Sequence, residues 1–430
     1  MLTAQTWRQL RFIPVALGVV VLCLCVSTIY IVPTFGGRSS HLLSPRLRPL
    51  VESDDHSSSH DPLNGQHFTI PPQSSNGSHD ETLGVFSQIF VISLAMRLDR
   101  RAALEQLRRA LALNWTYVDA ISPEHAIITG VSECVRFLRQ QNNARFFEWS
   151  PDLDGATTST SNTSLMDKTR PSVFSVPCVP PIPAGNPAIA PIAGFNHCLT
   201  PNESLPVVSK PRLHESSSTA SSSVMPLTCA VANRIHGVEF HPSLPTHMLL
   251  TPSKLACWYS HISAIARFAG QAHGSRGAAL FLEDDIDMER DIRQNVELVW
   301  SFLPSGWDIV FLGHCWSNES HYPALIKIQQ LESLDITIHP SFAPKCTHAY
   351  ALSHSGAHRL LLHLLHPPFS YSRALDQAFS WLVESKRLKA FSLVPSIVVQ
   401  RKVDKSDIDG GEDGLGSKWK DHLKHGILDI

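Results

Sequence analysis

The chain carries no strong charge of either sign. Its 430 residues hold 36 basic and 38 acidic side chains, for a net charge of −2. No Lys/Arg-rich run appears, so nothing supplies the field a nucleic-acid surface needs, and no nucleic-acid partner is expected. Metal-ligand spacings are missing too. None of the 9 cysteines forms a CxxC pair, and the 23 histidines are scattered without an HExxH. Both absences argue against a zinc site. Residues 33–84 lack periodic apolar positions; rich in Ser, His, Pro and Gly, they read as a flexible stem.

What is present begins with Phe12 to Val32, 21 residues without a charge and long enough to cross a bilayer as a helix. Arg8 and Arg11 precede it and Arg38, Arg46 and Arg48 follow, so the flanking charges do not settle its orientation. A cleaved signal peptide is the rival reading, but its apolar core is usually shorter. The preferred reading is a retained signal-anchor at 12–32, a cytosolic tail at 1–11 and a lumenal remainder, single-pass type II, in the endoplasmic reticulum or Golgi. Asn-x-Ser/Thr triplets at Asn76, Asn114, Asn162, Asn202 and Asn318 are compatible with that placement. Seven cysteines follow the apolar segment, and in an oxidising lumen some can pair.

The folded part reads as alternating strands and helices, which implies an α/β sheet. Phe86 to Leu94 is a strand, followed by a helix that Asp99 can cap and that sets Leu104, Leu107 and Leu111 along one face. Trp115 to Val118 is a second strand, and Val131, Val135 and Leu138 mark a short helix. Ser, Thr and Pro then dominate from 150 to 247, read as a disordered insertion. Order returns with a buried helix over Leu255–Ala269, a strand over Ala278–Leu282 and a helix over Ile292–Phe302. Strands follow at Trp307–Gly313 and His348–Leu352. Ser353 caps the next helix, then come a helix at Ala374–Glu384 and a strand at Ala390–Val394. The tail at 406–430 is polar and reads as loose. The folded body is thus expected in two parts, 85–149 and 248–405.

One stretch stands out. Ala278 to Leu282 is an apolar run that ends in four carboxylates within five residues: Glu283, Asp284, Asp285 and Asp287. Buried strands of open α/β sheets present ligands at their carboxyl ends. Clustered acids there repel one another unless a cation sits among them, and oxygen ligands suit Mg²⁺ or Mn²⁺, which can in turn hold a diphosphate. The plain alternative is a solvated acidic turn that starts the next helix.

Several blocks, in order, resemble glycosyltransferase family 25, which includes bacterial lipooligosaccharide galactosyltransferases and animal collagen galactosyltransferases. Phe90-Val91-Ile92-Ser93-Leu94 with Arg97, Asp99, Arg100 and Arg101 resembles the family's first strand and Arg-rich turn, and Asp119-Ala120 the close of its second. Lys254 to His261 resembles its Gly-Cys-x-x-Ser-His segment, with Ala256 in place of the Gly. Glu283-Asp284-Asp285 matches its acidic motif, Trp307 to Gly313 its "WDIVYLG" strand, and Thr347 to Leu360 its "AYxxSxxGAxxLL" strand and helix. The blocks cover roughly residues 86–120 and 249–400. The insertion at 150–247 departs from the compact bacterial pattern.

The resemblance implies a GT-A-like single catalytic domain with a mixed, mainly parallel sheet. It implies inverting transfer of a hexose from a UDP-sugar to a glycan or glycoprotein acceptor, assisted by Mn²⁺ or Mg²⁺. Galactose is the family's commonest donor, with glucose as rival. Asp376 falls where the family has an acid and becomes the candidate general base; without the resemblance the preferred reading is an acid in the first turn of a helix. Asp285 and Asp287 are the candidate metal pair by DxD spacing, with Glu283 and Asp284 as rivals, and Glu283 with Asp285 share a strand face. Arg97, Arg100 and Arg101 are candidates for the nucleotide phosphates, and His261 for the donor site; their plain alternatives are a solvated helix start and a packed core histidine. A non-catalytic lumenal sugar- or protein-binding module of the same fold is the competing function.

Overall fold

The computed structural model describes residues 80–151, 153, 225–271, 277–328, 335–401 and 423–428. Among the described residues ten strands form: β1 (Gln88–Leu94), β2 (Thr116–Ala120), β3 (Ala278–Glu283), β4 (Ile286–Met288), β5 (Ile309–Gly313), β6 (Ile326–Ile328), β7 (Ile336–Pro340), β8 (Ala349–Ser353), β9 (Ala390–Val394) and β10 (Val398–Gln400). The α-helices with described bounds are α1 (Leu98–Ala110), α2 (Ala126–Gln141), α3 (Pro252–Ala269), α4 (Ile292–Phe302), α5 (His354–Leu364) and α6 (Leu375–Glu384).

The main sheet has eight strands in the order β2-β1-β3-β8-β5-β9-β7-β6, and β4 and β10 pair separately. Six of the eight run in one direction, while β7 and β8 oppose them. The fold is α/β with a mixed sheet whose strands mostly share one direction.

Strand side chains alternate between faces, and here both faces are covered. Phe90, Ile92, Phe281, Phe311 and Tyr350 meet α2, α3, α5 and α6 on one side. Ile89, Val91, Leu280, Leu282 and Val310 meet α1 and α4 on the other. This explains why β3 reads as an unbroken apolar run: only its last residue, Glu283, reaches the rim.

Local details follow from residue chemistry. Ser353 caps α5 as expected, its hydroxyl accepting from the Gly356 amide at 2.9 Å. A side chain at Gly356 would strike the Asp308 backbone, so α5 depends on glycine to approach β5. Asp99 does not cap α1. It lies inside the first turn, gripped by Arg97 at 2.8 Å, and Arg97 occupies the cap position without a side-chain capping bond. Strands β4, β6 and β10, three residues each, were not expected because runs that short carry too little periodicity to read, and the five-residue β7 was missed as well.

The expected disordered stretch at 150–247 is ordered at its end. Residues 225–247 pack against the core, with Leu227, Cys229 and Ile235 buried. The Cys229 amide donates to the Met248 carbonyl at 2.7 Å. The tail expected to be loose contributes 423–428, bound to β4 through Asp287 and Glu289. The cytosolic tail at 1–11, the anchor at 12–32, nearly all of the stem at 33–84, residues 154–224 and most of the tail lie outside the described residues. Among the described residues no helix is long and apolar enough to cross a membrane. Cys315 and Cys346 form a disulfide that joins the exit of β5 to the entry of β8.

Candidate functional site

β1 is the point where the sheet's order reverses: β2 lies on one side of it and β3 on the other, both parallel to it. The crevice outside the carboxyl ends of β1 and β3 is therefore the expected ligand position in this architecture. The chain leaving β1 supplies Arg97, Arg100 and Arg101, and β3 delivers Glu283, Asp284 and Asp285 to the same rim. β8 runs the other way, so its entry brings Thr347 and His348 alongside, and the Glu283 amide donates to the His348 carbonyl at 2.9 Å.

Arg100 reaches two of the acids. Its Nη1 donates to Asp284 Oδ1 at 2.7 Å and lies 3.7 Å from Asp285 Oδ2. Gln400 Nε2, at the end of β10, donates to Asp285 Oδ2 at 3.0 Å, and the Arg401 amide to the Asp285 carbonyl at 2.6 Å. Asp285 Oδ1 is buried and accepts no hydrogen bond. A buried, unsatisfied carboxylate oxygen is costly. Burial, then the charge of Glu283, pushes the Asp285 carboxyl up to about 7, with Asp284 adding to the shift and Arg100 and Gln400 opposing it.

Glu283 has the opposite fate. Its burial alone would raise it, but His261, Thr347 and His348 outweigh that and hold it below the usual range. His261 Nε2 lies 3.2 Å from Glu283 Oε1, which also accepts from Thr347 Oγ1 at 2.7 Å. The far side of the imidazole is fixed by a 2.9 Å bond between Nδ1 and the Tyr350 hydroxyl. One helical turn before His261, Cys257 completes the group. Burial first, then the charges of Glu283, Asp376 and Asp285, keep its thiol protonated.

Glu283, Asp284, Asp285, Arg100 and His261 are thus brought together. Asp376 stands in the first turn of α6, its Oδ1 accepting from the Gln377 amide at 2.8 Å, and its charge reaches the same Cys257. The other three candidates are engaged elsewhere. Arg97 holds Asp99. Arg101 ties the Ser93 carbonyl of β1 to Asp119 of β2, at 3.1 and 2.5 Å. Asp287 is buried in β4, where Oδ1 accepts from the amides of Met288, Ile427 and Leu428. Its DxD spacing to Asp285 does not translate into a shared site, because β4 pairs with β10 and carries its side chain to the C-terminal segment.

Sequence reasoning missed Cys257, Thr347, Tyr350 and Gln400. Cys257 and His261, four apart on a helix, were a readable signal; Gln400 was not.

The donors fit the hard divalent cation the sequence led us to expect: an orphaned carboxylate oxygen on Asp285 with Asp284 and Glu283 as further oxygen ligands. No family model matches the chain, and no curated protein matches it.

Proposed function

We propose that this chain is a GT-A-like inverting glycosyltransferase that moves a hexose, galactose first among candidates, from a UDP-sugar to a glycan or glycoprotein hydroxyl. The observation that carries the reading is the orphaned carboxylate oxygen of Asp285, just past the end of β3 and beside Arg100. The ordered blocks that resemble glycosyltransferase family 25 support it. Asp285, with Asp284 or Glu283, would hold Mn²⁺ or Mg²⁺. The bound ion supplies Lewis-acid stabilisation of charge on the leaving diphosphate. Arg100 offers a guanidinium to a phosphate oxygen while keeping Asp284 in place. Thr347 and His261 orient Glu283. Asp376, at the start of α6, accepts the proton of the attacking hydroxyl.

We further propose that residues 12–32 anchor the protein in the endoplasmic reticulum or Golgi membrane with this domain in the lumen. The Cys315–Cys346 disulfide suits an oxidising compartment, and Asn114 and Asn318 are both exposed to receive glycans.

Release of UDP from a panel of UDP-sugars, with and without Mn²⁺, tests the reading. Mn²⁺-dependent release from at least one donor is expected, and none from any donor would end it. Asp376→Asn is expected to lower transfer by about 100-fold or more while donor affinity stays unchanged; undiminished turnover removes Asp376 as the base. Leu83 is fully buried, so a soluble fragment for this assay has to start upstream of Asp80.

A further inference from the structure

The acidic rim invites a hard cation held by oxygen alone, yet a different donor set lies beside it. Cys257 and His261 are four residues apart on α3 and so share a helix face. That face meets Glu283. A sulfur, an imidazole nitrogen and a carboxylate oxygen from these three residues all lie within 4.8 Å of one another.

The geometry of the trio exceeds simple proximity. His261 Nε2 and Glu283 Oε1 are 3.2 Å apart. Two ligands bound tetrahedrally at zinc-like distances would sit about 3.3 Å from each other, so this pair already stands at ligand separation. The outer shell is also in place. Metal-bound histidines use their second ring nitrogen to fix the ring, and here Nδ1 is bonded to the Tyr350 hydroxyl at 2.9 Å. The Thr347 hydroxyl fixes Glu283 Oε1 in turn. His261 is buried while Cys257 and Glu283 are partly exposed, which leaves a route in from solvent. A second grouping, Cys315, Cys346 and His348, has no such capacity, because its two sulfurs are bonded to each other.

We propose that Cys257 Sγ, His261 Nε2 and a Glu283 oxygen form a three-ligand seat for a borderline divalent cation of the zinc type, adjoining the oxygen seat, which then keeps Asp285 and Asp284. One sulfur, one nitrogen and one oxygen select such an ion over Mg²⁺. Three protein ligands leave a fourth position for water or another small ligand. On binding, the Cys257 thiol gives its proton to solvent as the sulfur–metal bond forms. The seat follows from the donor set and does not need sugar transfer to be correct.

Cobalt(II) is the probe, because thiolate coordination gives a near-ultraviolet charge-transfer band and tetrahedral geometry gives strong visible bands. The purified full chain, stripped with chelator, is titrated with Co²⁺ and then with Zn²⁺. A thiolate band saturating at one equivalent and bleached by Zn²⁺ is expected. Cys257→Ser is expected to abolish the band, whereas Cys134→Ser keeps it. Should Cys257→Ser fail to fold, Tyr350→Phe serves instead, with cobalt affinity expected to fall about 10-fold and the band retained. Absence of a band in the wild type, its persistence in Cys257→Ser, or unchanged affinity in Tyr350→Phe would each overturn the site. Mn²⁺-supported release of UDP without a cobalt–thiolate band sinks this seat and leaves sugar transfer standing. A band without release does the reverse.

Discussion

Asp285 and Asp287 are two residues apart in sequence and opposite in circumstance. Asp287, with Glu289 beside it, sits in a region where every carboxylate has a backbone partner: the amides of Met288, Ile427 and Leu428 converge on Asp287, and those of Lys424 and His425 on Glu289. Asp285 sits where one oxygen has none, among other acids. Burial is common to both, so burial does not separate a structural acid from a functional one. Satisfaction does. Satisfied acids hold the fold together, and the unsatisfied one marks where something positive is wanted.

Asp308 gives the sharpest test of the satisfied class. It is buried at the start of β5, receives Arg359 Nη1 at 2.8 Å on both oxygens, and accepts from the Lys389 amide at 2.8 Å. Asp308→Ala takes a buried acceptor from the Arg359 guanidinium and from the Lys389 amide and is expected to cost about 3–5 kcal/mol, read from urea denaturation. A loss under 1 kcal/mol would mean that these contacts are not what secures α5 to the sheet.

Asp287→Ala ranks next. Three amides lose their acceptor, and a destabilisation of about 1–3 kcal/mol is expected, together with faster hydrogen exchange at Ile427 and Leu428. Exchange unchanged at those two amides would show that the C-terminal segment is held by its apolar contacts instead.

The most diagnostic effect is a slope with pH, read against a variant expected to lose no stability at pH 7. The folded state raises Asp285 to about 7 from an ordinary value of 3.8. Its contribution is therefore fully present below about pH 4 and lost as pH rises through 7, at up to ~1.4 kcal/mol per pH unit. Asp285→Asn is expected to remove that slope and to be at least as stable as the wild type at pH 7, while losing Mn²⁺-dependent donor binding. Added Mn²⁺ should flatten the wild-type slope, since it favours the charged carboxylate. Stability curves that run parallel in wild type and variant between pH 4 and 7 would place Asp285 among the satisfied acids and erase the contrast.

Much of the scaffold was legible because it rests on local pattern. The run from Ala278 to Leu282 announced a doubly buried strand, Ser353 announced a helix start, and α4 and β9 have the bounds their periodicity suggests. The acidic cluster was legible as a cluster. Its partners were not. Arg100 meets Asp284 across 184 residues, and Gln400 meets Asp285 across 115. Short strands such as β4 and β10 were missed for a related reason: each exists only because the other does.

By itself, then, the order of residues determined an α/β body with its acids gathered at the end of a buried strand, since hydrophobic periodicity and a short carboxylate run act within a few neighbours. Only tertiary structure decided which acid would be left wanting. That choice depends on which amides, guanidinium groups and imidazoles the finished sheet carries to each oxygen, and those arrive from distant stretches of chain.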